Sequence, residues 1–381
     1  MKKRKILYIS GTRADYGLMK RTLFAIKNNP KLELELIVTG MHLMPEFDKT
    51  INEIKRDGFN LHQIKAIYKN DTKKSMAEFI GRFVLELVRK IKIIKPNIIL
   101  ILGDRPEMLG AAIVSNYLAI PVAHIHGGEK TSTVDDIARH AITKLSHIHF
   151  PATQKSAERI KKMGEERKRI FIVGAPGIEI ILKEKLFSQR EIAKKYNLDL
   201  NKPILLILQH SVTVEAKNAA KQMKETMEAI KELDRQSIVI YPNADVGGRA
   251  MIRIIEKYRK YKFIKIFKNI PHRDYLSLMR IVSVLIGNSS SGIIEAPSFN
   301  LPVVNIGSRQ GDRQRAKNII DTDYHKIKIK KAIVKAIYLK KTEKKTKLMN
   351  PYWQKGTSQK ISNILKKIKI DENLFQKKMS Y

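Results

Sequence analysis

The chain has 381 residues, 43% of them hydrophobic and 29% charged, which is typical of a folded chain of about two domains rather than a disordered or membrane-embedded one. It contains no cysteine, which excludes disulfides, thiolate metal sites and a cysteine nucleophile. The formal net charge of +37 suggests a nucleic-acid partner, but the basic residues are spread over many segments with few aromatic residues between them, which favours a lysine-rich surface.

The N-terminus begins with basic residues 1–5, followed by a short apolar stretch at residues 6–9. That stretch ends too early for a signal peptide and is better interpreted as a buried strand. No apolar run approaches the roughly 20 residues that a bilayer crossing needs. We therefore expect a cytoplasmic protein without a membrane partner and without a specific nucleic-acid partner.

The N-terminal half alternates short apolar strands with amphipathic helices. The predicted strands are residues 5–10, 34–39, 98–102, 122–125, 147–150 and 170–173, and the predicted helices are residues 16–28, 75–94, 106–118 and 153–163. Strands that are apolar throughout are buried on both faces, as in a parallel sheet covered by helices.

The same alternation restarts in the C-terminal half. The predicted strands are residues 204–208, 237–241, 263–267, 282–286 and 302–305, and the predicted helices are residues 214–233, 247–258, 273–279 and 291–297. Between the two series lies a charged, helix-prone stretch without a strand, residues 182–201.

This doubled pattern predicts an α/β fold of two doubly wound, Rossmann-like domains that face a cleft. The predicted domains are residues 1–185 and 186–350, and a C-terminal helix within residues 351–381 crosses back to the N-terminal domain. Ligands of such domains bind at the carboxyl edge of the strands, so residues directly after strands are the first candidates for a functional site.

Two candidate segments follow strands of the first domain. The turn at residues 11–17 lacks the GxGxxG dinucleotide fingerprint, but its Arg13 either binds a phosphate or lies at the surface. Asp104 suits a helix N-cap, with Pro106 and Glu107 completing a capping pattern, although its carboxylate can also face a ligand.

A third segment, residues 124–129, carries two histidines, a Gly-Gly pair and a glutamate, with acidic residues and Arg139 shortly after. Such a set can bind a metal, or one imidazole can simply be buried and hydrogen-bonded. We favour acid–base chemistry, because carboxylates and histidines that converge at a cleft can remove and return a proton.

In the second domain, His210 ends a strand and is either functional or water-facing. Residues 287–297 follow another strand, with serines and backbone N–H groups that form a phosphate cradle or a plain helix cap. Glu295 can accept hydrogen bonds from a ribose hydroxyl pair. Arg309, Arg313 and Arg315 follow the next strand and meet either phosphates or water.

In their order and spacing, these motifs resemble the hydrolysing UDP-N-acetylglucosamine 2-epimerases of sialic-acid and related nonulosonate synthesis. The motifs are GTRADYG at 11–17, TGMH at 39–42, GDRPE at 103–107, HIHGGE at 124–129, DDIARHAITKLSH at 135–147, YPNADVGGR at 241–249 and GNSSSGIIEAP at 287–297. The resemblance runs from the first strand to the C-terminal helix and implies the two-domain GT-B fold. It places the sugar and the acid–base groups on the first domain and the nucleotide on the second.

The resemblance also implies a two-step reaction, in which a base removes the proton at C2, UDP leaves C1 to give a glycal, and water adds to give the free 2-epimer. The residues it implies as catalytic are Asp104, Glu129, Asp135 and His210. Those it implies for substrate and nucleotide binding are Arg13, His42, His126, Arg139, Asn243, Ser289, Ser290, Ser291, Gly292, Glu295, Arg309 and Arg313. The resemblance implies no metal or other cofactor, and it implies a homodimer.

Two residues depart from the pattern of the non-hydrolysing relatives. His126 stands where those relatives carry a glutamate, and Met41 stands where they carry a polar residue. Both favour the hydrolysing branch, while the identity of the C2 base stays open. The alternatives are a non-hydrolysing epimerase, a GT-B glycosyltransferase and, from another class, a nucleic-acid-binding protein. The nucleotide can be UDP or GDP, and the sugar a diacetamido-trideoxyhexose.

Overall fold

The computed structural model describes residues 3–131, 135–342 and 349–380, and within these residues the chain forms two six-stranded parallel sheets. The first contains β1 (Arg4–Ser10), β2 (Leu32–Val38), β3 (Asn60–Gln63), β4 (Ile98–Leu102), β5 (Val122–Ile125) and β6 (Ile148–Phe150) in the order β3-β2-β1-β4-β5-β6. The second contains β7 (Ile204–Leu208), β8 (Gln236–Ile240), β9 (Ile264–Phe267), β10 (Val284–Gly287), β11 (Val303–Ile306) and β12 (Ile319–Thr322) in the order β12-β11-β10-β7-β8-β9.

Helices cover both faces of each sheet. The helices in the first half are α1 (Arg13–Lys27), α2 (Ile51–Arg56), α3 (Lys73–Ile94), α4 (Pro106–Tyr117), α5 (Asp135–Leu145), α6 (Gln154–Lys162), α7 (Pro176–Lys183) and α8 (Gln189–Lys195). Those in the second half are α9 (Ala219–Leu233), α10 (Gly248–Glu256), α11 (His272–Ile281), α12 (Ser291–Ile294), α13 (Lys326–Thr342), α14 (Thr357–Lys367) and α15 (Glu372–Phe375). The predicted α/β fold with two doubly wound, GT-B-like halves is confirmed.

The central strands are apolar because both of their faces are covered. All five residues of β4 are buried, as are four of the five residues of β7. In each sheet the chain winds outward from two central neighbours, β1 and β4 in the first and β7 and β10 in the second. At such a switch point the loops after the two strands diverge and leave a crevice. The two crevices fix where a ligand can bind.

The sequence-based elements need several corrections, and the helices α2, α5, α7 and α13 were not predicted. Residues 170–173 form no strand, because only a single bridge joins His149 to Ile170 before the chain leaves for α7. The edge strands β3 and β12 were not predicted. Helix 214–233 begins as a 3-10 turn, Thr213–Asn218. Helix 291–297 splits into α12 and the 3-10 helix Ala296–Phe299, as expected for a segment whose Pro297 lacks an N–H donor.

The C-terminal helix α14 crosses back to the first domain, as predicted. Ile361 and Leu365 of α14 lie in the same buried cluster as Leu23 and Ile26 of α1. The residue limits of the domains stay a prediction. None of the helices in the described part of the chain has the length and apolarity needed to cross a membrane.

This packing makes α14 part of the N-terminal core. We expect Leu365→Ala to lower the free energy of unfolding by about 2 to 5 kcal/mol, because it leaves a cavity in a fully buried cluster. The control variant is Ile93→Ala, whose side chain is 72% exposed. It should change the free energy of unfolding by less than about 0.5 kcal/mol. Urea unfolding measures both, and equal effects would contradict the placement of α14.

Candidate active site

A cavity of about 290 Å³ lies between the carboxyl edges of the two sheets. Twelve of the sequence-predicted site residues line it: Arg13, Asp104, His126, Arg139, His210, Asn243, Ser289, Ser290, Ser291, Glu295, Arg309 and Arg313. They come from loops after β4, β5, β7, β8, β10 and β11 and from α1, α5 and α12. The strand-end residues of both domains therefore converge on one space.

Asp104 faces this cavity and does not cap α4. The N-cap position is Arg105, which makes no side-chain capping bond, so the capping interpretation of Asp104 is wrong. Asp104 Oδ2 instead pairs with Nη2 of Arg139, whose side chain is 1% exposed. Burial raises the pKa of Asp104, but the charges of Arg139, Arg313 and Arg309 outweigh it and hold the pKa below its usual value. Asp104 is therefore an ionised carboxylate in the cavity at neutral pH.

Arg139 is held from two further sides. Its Nη1 donates to Asp136 Oδ1 at 2.6 Å and to the backbone oxygen of Glu129 at 3.1 Å. Asp136 also accepts bonds from the backbone N–H of Thr131, at 2.7 and 2.9 Å. These bonds fix the guanidinium that pairs with Asp104, and they tie the start of α5 to the cleft.

Glu129 lies behind the cavity and holds two residues that line it. Its Oε1 contacts Nδ1 of His126, and its Oε2 lies 2.7 Å from Nη2 of Arg313, which belongs to the other domain. Burial raises the pKa of Glu129, but Arg313 and His126 outweigh it and lower the pKa to about 2. His126 has a φ of +64°, which turns the chain sharply after β5. Glu129 therefore stays ionised and orients side chains of both domains.

His210 presents one ring nitrogen to the cavity in a defined protonation state. The backbone N–H of Asn243 donates to its Nδ1 at 3.1 Å, so the proton of the neutral ring is assigned to Nε2. Burial, followed by the charges of Arg309 and Arg105, holds the pKa of His210 well below its usual value. His210 is therefore a neutral donor at physiological pH.

Several buried polar atoms of cavity residues have no hydrogen-bond partner within the described chain. They include Nη1 of Arg13, Nη1 of Arg313, Oδ1 of Asn243 and Oε2 of Glu295. Buried polar groups are normally paired, because an unpaired one costs free energy. Two arginine donors aimed into one cavity, with a carboxylate and an amide acceptor beside them, match an anionic ligand that also carries hydroxyl groups.

Four predicted site residues do not line the cavity. His42 is buried behind it, where Ser10 Oγ and Thr50 Oγ1 lie 2.8 Å from its two ring nitrogens. Burial, with the Arg13 and Arg105 charges beside it, lowers the pKa of His42 to about 3. Asp135 lies near the cleft, with its Oδ2 3.8 Å from Arg309 Nη2. Glu129 contacts the cavity residues His126 and Arg313 but does not line the cavity itself.

The fourth of these, Gly292, packs against β11. A Cβ atom there would lie 2.9 Å from a methyl carbon of Val303, so the glycine permits close packing of α12 on the sheet.

His124, the second histidine of the segment 124–129, is buried and bonds the backbone oxygen of Gly103 at 2.7 Å. The described residues contain no group of three or more histidine or carboxylate side chains that could hold a metal ion.

Sequence reasoning missed Arg105 and Asp15, which both line the cavity. Arg105 lies 3.3 Å from Glu107 Oε2 and 3.8 Å from Asp245 of the second domain. Asp15 accepts backbone N–H bonds from Gly11 at 3.0 Å and Thr12 at 2.7 Å, which shapes the turn that carries Arg13. The position of Arg105 directly after Asp104 at a strand end was the available signal.

The buried Glu295 gives a prediction about pH and stability. Burial raises the pKa of its carboxyl to about 7, from an ordinary value of 4.5. The folded state therefore binds this proton more tightly than the unfolded chain, so the ligand-free protein loses stability as pH rises from 4.5 to about 7. We expect Glu295→Gln to raise the free energy of unfolding by about 2 kcal/mol at pH 8 and to change it little at pH 5. Urea titrations at both pH values test this, and a pH-independent difference would refute it.

The profile of the UDP-N-acetylglucosamine 2-epimerase family matches residues 24–366. The chain belongs to this epimerase family. A UDP-N,N'-diacetylbacillosamine 2-epimerase (hydrolyzing) of Legionella pneumophila is 39% identical over 99% of the chain and 100% of its own length. A GDP/UDP-N,N'-diacetylbacillosamine 2-epimerase (hydrolyzing) of Campylobacter jejuni is 37% identical over 85% of both chains.

Solved structures of the epimerase family share the fold. The crystal structure of UDP-GlcNAc 2-epimerase from Neisseria meningitidis bound to UDP-GlcNAc superposes with a TM-score of 0.78, at 17% identity, over 95% of this chain and 99% of that one. The expectation of a sugar-nucleotide 2-epimerase is thus confirmed at the level of the family, and its two-domain fold at the level of structure.

Proposed function

We propose that this family member is a hydrolysing 2-epimerase, which converts a nucleoside-diphosphate-linked N-acetylated sugar into the free 2-epimer and the nucleoside diphosphate. The observation that carries the proposal is the composition of the cavity. It contains the ionised Asp104 together with the neutral donor His210 and the unpaired Nη1 atoms of Arg13 and Arg313. A base for a carbon-bound proton thus shares one cavity with donors for a departing diphosphate.

In the first step, the carboxylate of Asp104 takes the proton from C2 while the bond between C1 and the diphosphate oxygen breaks. The electron pair of the C2–H bond forms the double bond of a glycal. Asp104 is the better base than Glu129, because both oxygens of Glu129 are engaged by His126 and Arg313. Removal of a weakly acidic proton by a positioned side chain contributes about 10²- to 10⁴-fold to the rate.

The departing diphosphate gains negative charge, which donors from both domains neutralise. His210 donates through Nε2–H, and the Nη1 atoms of Arg13 and Arg313 are donors without a partner among the described residues. Such donors stabilise charge that develops in the transition state without reorganising at that moment. The serines 289–291 and Glu295 lie beside them and suit the phosphate and the ribose hydroxyls.

In the second step, a proton adds to C2 from the face opposite Asp104 and the oxygen of a water adds to C1. The proton that this water loses restores the donor, and Asp104 releases its proton to solvent. His126 lines the cavity and is held by Glu129, which makes it the proposed donor of the proton that adds to C2. The sugar leaves as the free 2-epimer. The two relatives named above support the hydrolysing outcome over a non-hydrolysing one, and they make an N,N'-diacetylated sugar linked to UDP or GDP a candidate substrate beside UDP-N-acetylglucosamine.

A substrate panel tests the proposal. The enzyme is incubated in D₂O with UDP-N,N'-diacetylbacillosamine, its GDP analogue and UDP-N-acetylglucosamine. We expect ³¹P NMR to show free nucleoside diphosphate and ¹H NMR to show a free 2-epimer with deuterium at C2. A product that keeps the nucleotide attached would identify a non-hydrolysing epimerase, and turnover only with an added acceptor sugar would identify a glycosyltransferase.

We further propose a cytoplasmic homodimer that acts in sialic-acid or related nonulosonate synthesis. The resemblance of the whole chain to enzymes of that synthesis supports this placement. The net charge of +37 should give only sequence-independent binding to polyanions, which weakens steeply between 50 and about 200 mM salt. Salt-resistant binding to one nucleic-acid sequence would contradict that expectation.

A further inference from the structure

The loop that sets the protonation state of His210 is held in place from the other domain. Residues 241–247 join β8 to α10, and we call this segment the β8–α10 loop. Its Asn243 donates the backbone N–H to His210 Nδ1 at 3.1 Å. The loop ends at Gly247, which has a φ of +92° and is the N-cap residue of α10. Because glycine has no side chain, it cannot itself accept a capping hydrogen bond. The first turn of α10 thus depends on an outside acceptor.

Asp71 of the N-terminal domain is that acceptor. Its Oδ1 accepts from the backbone N–H of Gly247 at 2.6 Å, and its Oδ2 accepts from the backbone N–H of Ala250 at 3.3 Å. A carboxylate at a helix N-terminus satisfies unpaired donors and is favoured by the helix dipole. Asp71 and Gly247 are 176 residues apart in the chain, so this cap exists only while the two domains are together.

A second contact accompanies the cap. Arg249, in the first turn of α10, donates to Glu46 Oε1 at 2.7 Å and to the backbone oxygen of Tyr68 at 3.0 Å. Two residues before Gly247, Asp245 lies 3.8 Å from Arg105 Nη1. All of these bonds join the two domains, so an opened cleft would leave the β8–α10 loop with only the bonds made within its own domain, such as that from Asn243 Nδ2 to Asp245 Oδ2.

We propose that Asp71 is a positioning residue that couples closure of the two domains to the orientation and tautomer of His210. In the closed form, Asp71 fixes the β8–α10 loop, the Asn243 N–H holds Nδ1 of His210 as an acceptor, and Nε2–H points to the leaving diphosphate. In the open form, the loop is released and His210 loses its preferred tautomer. The inference rests on the proposed function only in the role it gives to His210.

The test compares Asp71→Asn and Asp71→Ala with the parent enzyme. A matched control is Asp323→Asn, because Asp323 also accepts a backbone N–H, from His325 at 2.9 Å, but does so within a single domain. We expect Asp71→Asn to lower kcat by about tenfold and Asp71→Ala by more, since a lost cap weakens the closed form. The control should keep its kcat, and KM should change less than kcat in all three.

A spectroscopic measurement separates positioning from a structural role. Ring ¹⁵N spectra, with the His210 signal assigned by its loss in His210→Asn, are recorded with and without UDP. The parent should show the Nε2–H tautomer with UDP, and Asp71→Ala a mixture of tautomers at a temperature well below its melting transition. An unchanged tautomer in Asp71→Ala, whether or not activity falls, overturns the proposal. Failure of the parent enzyme to release nucleotide from any sugar would refute the proposed function alone, since the tautomer measurement needs only UDP.

Discussion

Asp104→Asn is expected to lower kcat by about 10³-fold and to leave the affinity for UDP nearly unchanged. The carboxylate is the group proposed to take the C2 proton, and an amide of the same shape cannot accept it. Stopped assays of nucleotide release measure kcat, and calorimetry measures UDP binding. Full activity in the variant would mean that Asp104 only orients Arg139.

Asp136→Asn is the matched control for that variant. Asp136 also pairs with Arg139, at 2.6 Å, yet it does not line the cavity. If the loss in Asp104→Asn came from a displaced Arg139, the two variants would fall together. We expect a much smaller loss in Asp136→Asn, and exchange of the C2 proton with D₂O should cease only in Asp104→Asn.

His210→Asn is expected to lower kcat by about 10²- to 10³-fold, the usual effect of removing one preorganised donor to a developing negative charge. UDP binding should weaken less than kcat falls, because the donor acts most strongly as the C1–oxygen bond breaks. His325→Asn serves as the control, because His325 is an exposed residue directly before α13. A parallel loss of kcat and UDP affinity would assign His210 to ground-state binding instead.

The central strands and the location of the site were predictable from sequence. Apolar runs such as β4 and β7 are buried on both faces, and that burial leaves a direct mark on composition. The edge strand β3 left no such mark, since it reads NLHQ and has no buried residue. Its pairing with β2 depends on the neighbouring strand rather than on its own residues.

The partners within the site were not predictable in the same way. Asp104 and Arg139 are 35 residues apart, and Glu129 and Arg313 belong to different domains, so their pairing depends on how α5 and the two sheets pack. Local rules predicted a cap for Asp104, because the usual N-cap pattern involves only residues that are neighbours in sequence. His42 lies in one of the motifs that carry the resemblance, yet its two hydroxyl partners lie behind the cavity.

The return of α14 to the first domain means that the polypeptide passes between the domains twice, once before β7 and once before α14. Two covalent connections restrict the relative movement of the two halves more than a single connection would. A rotation about a line through both connections is the movement that displaces them least, and it favours hinge-like opening of the cleft over sliding of one half past the other.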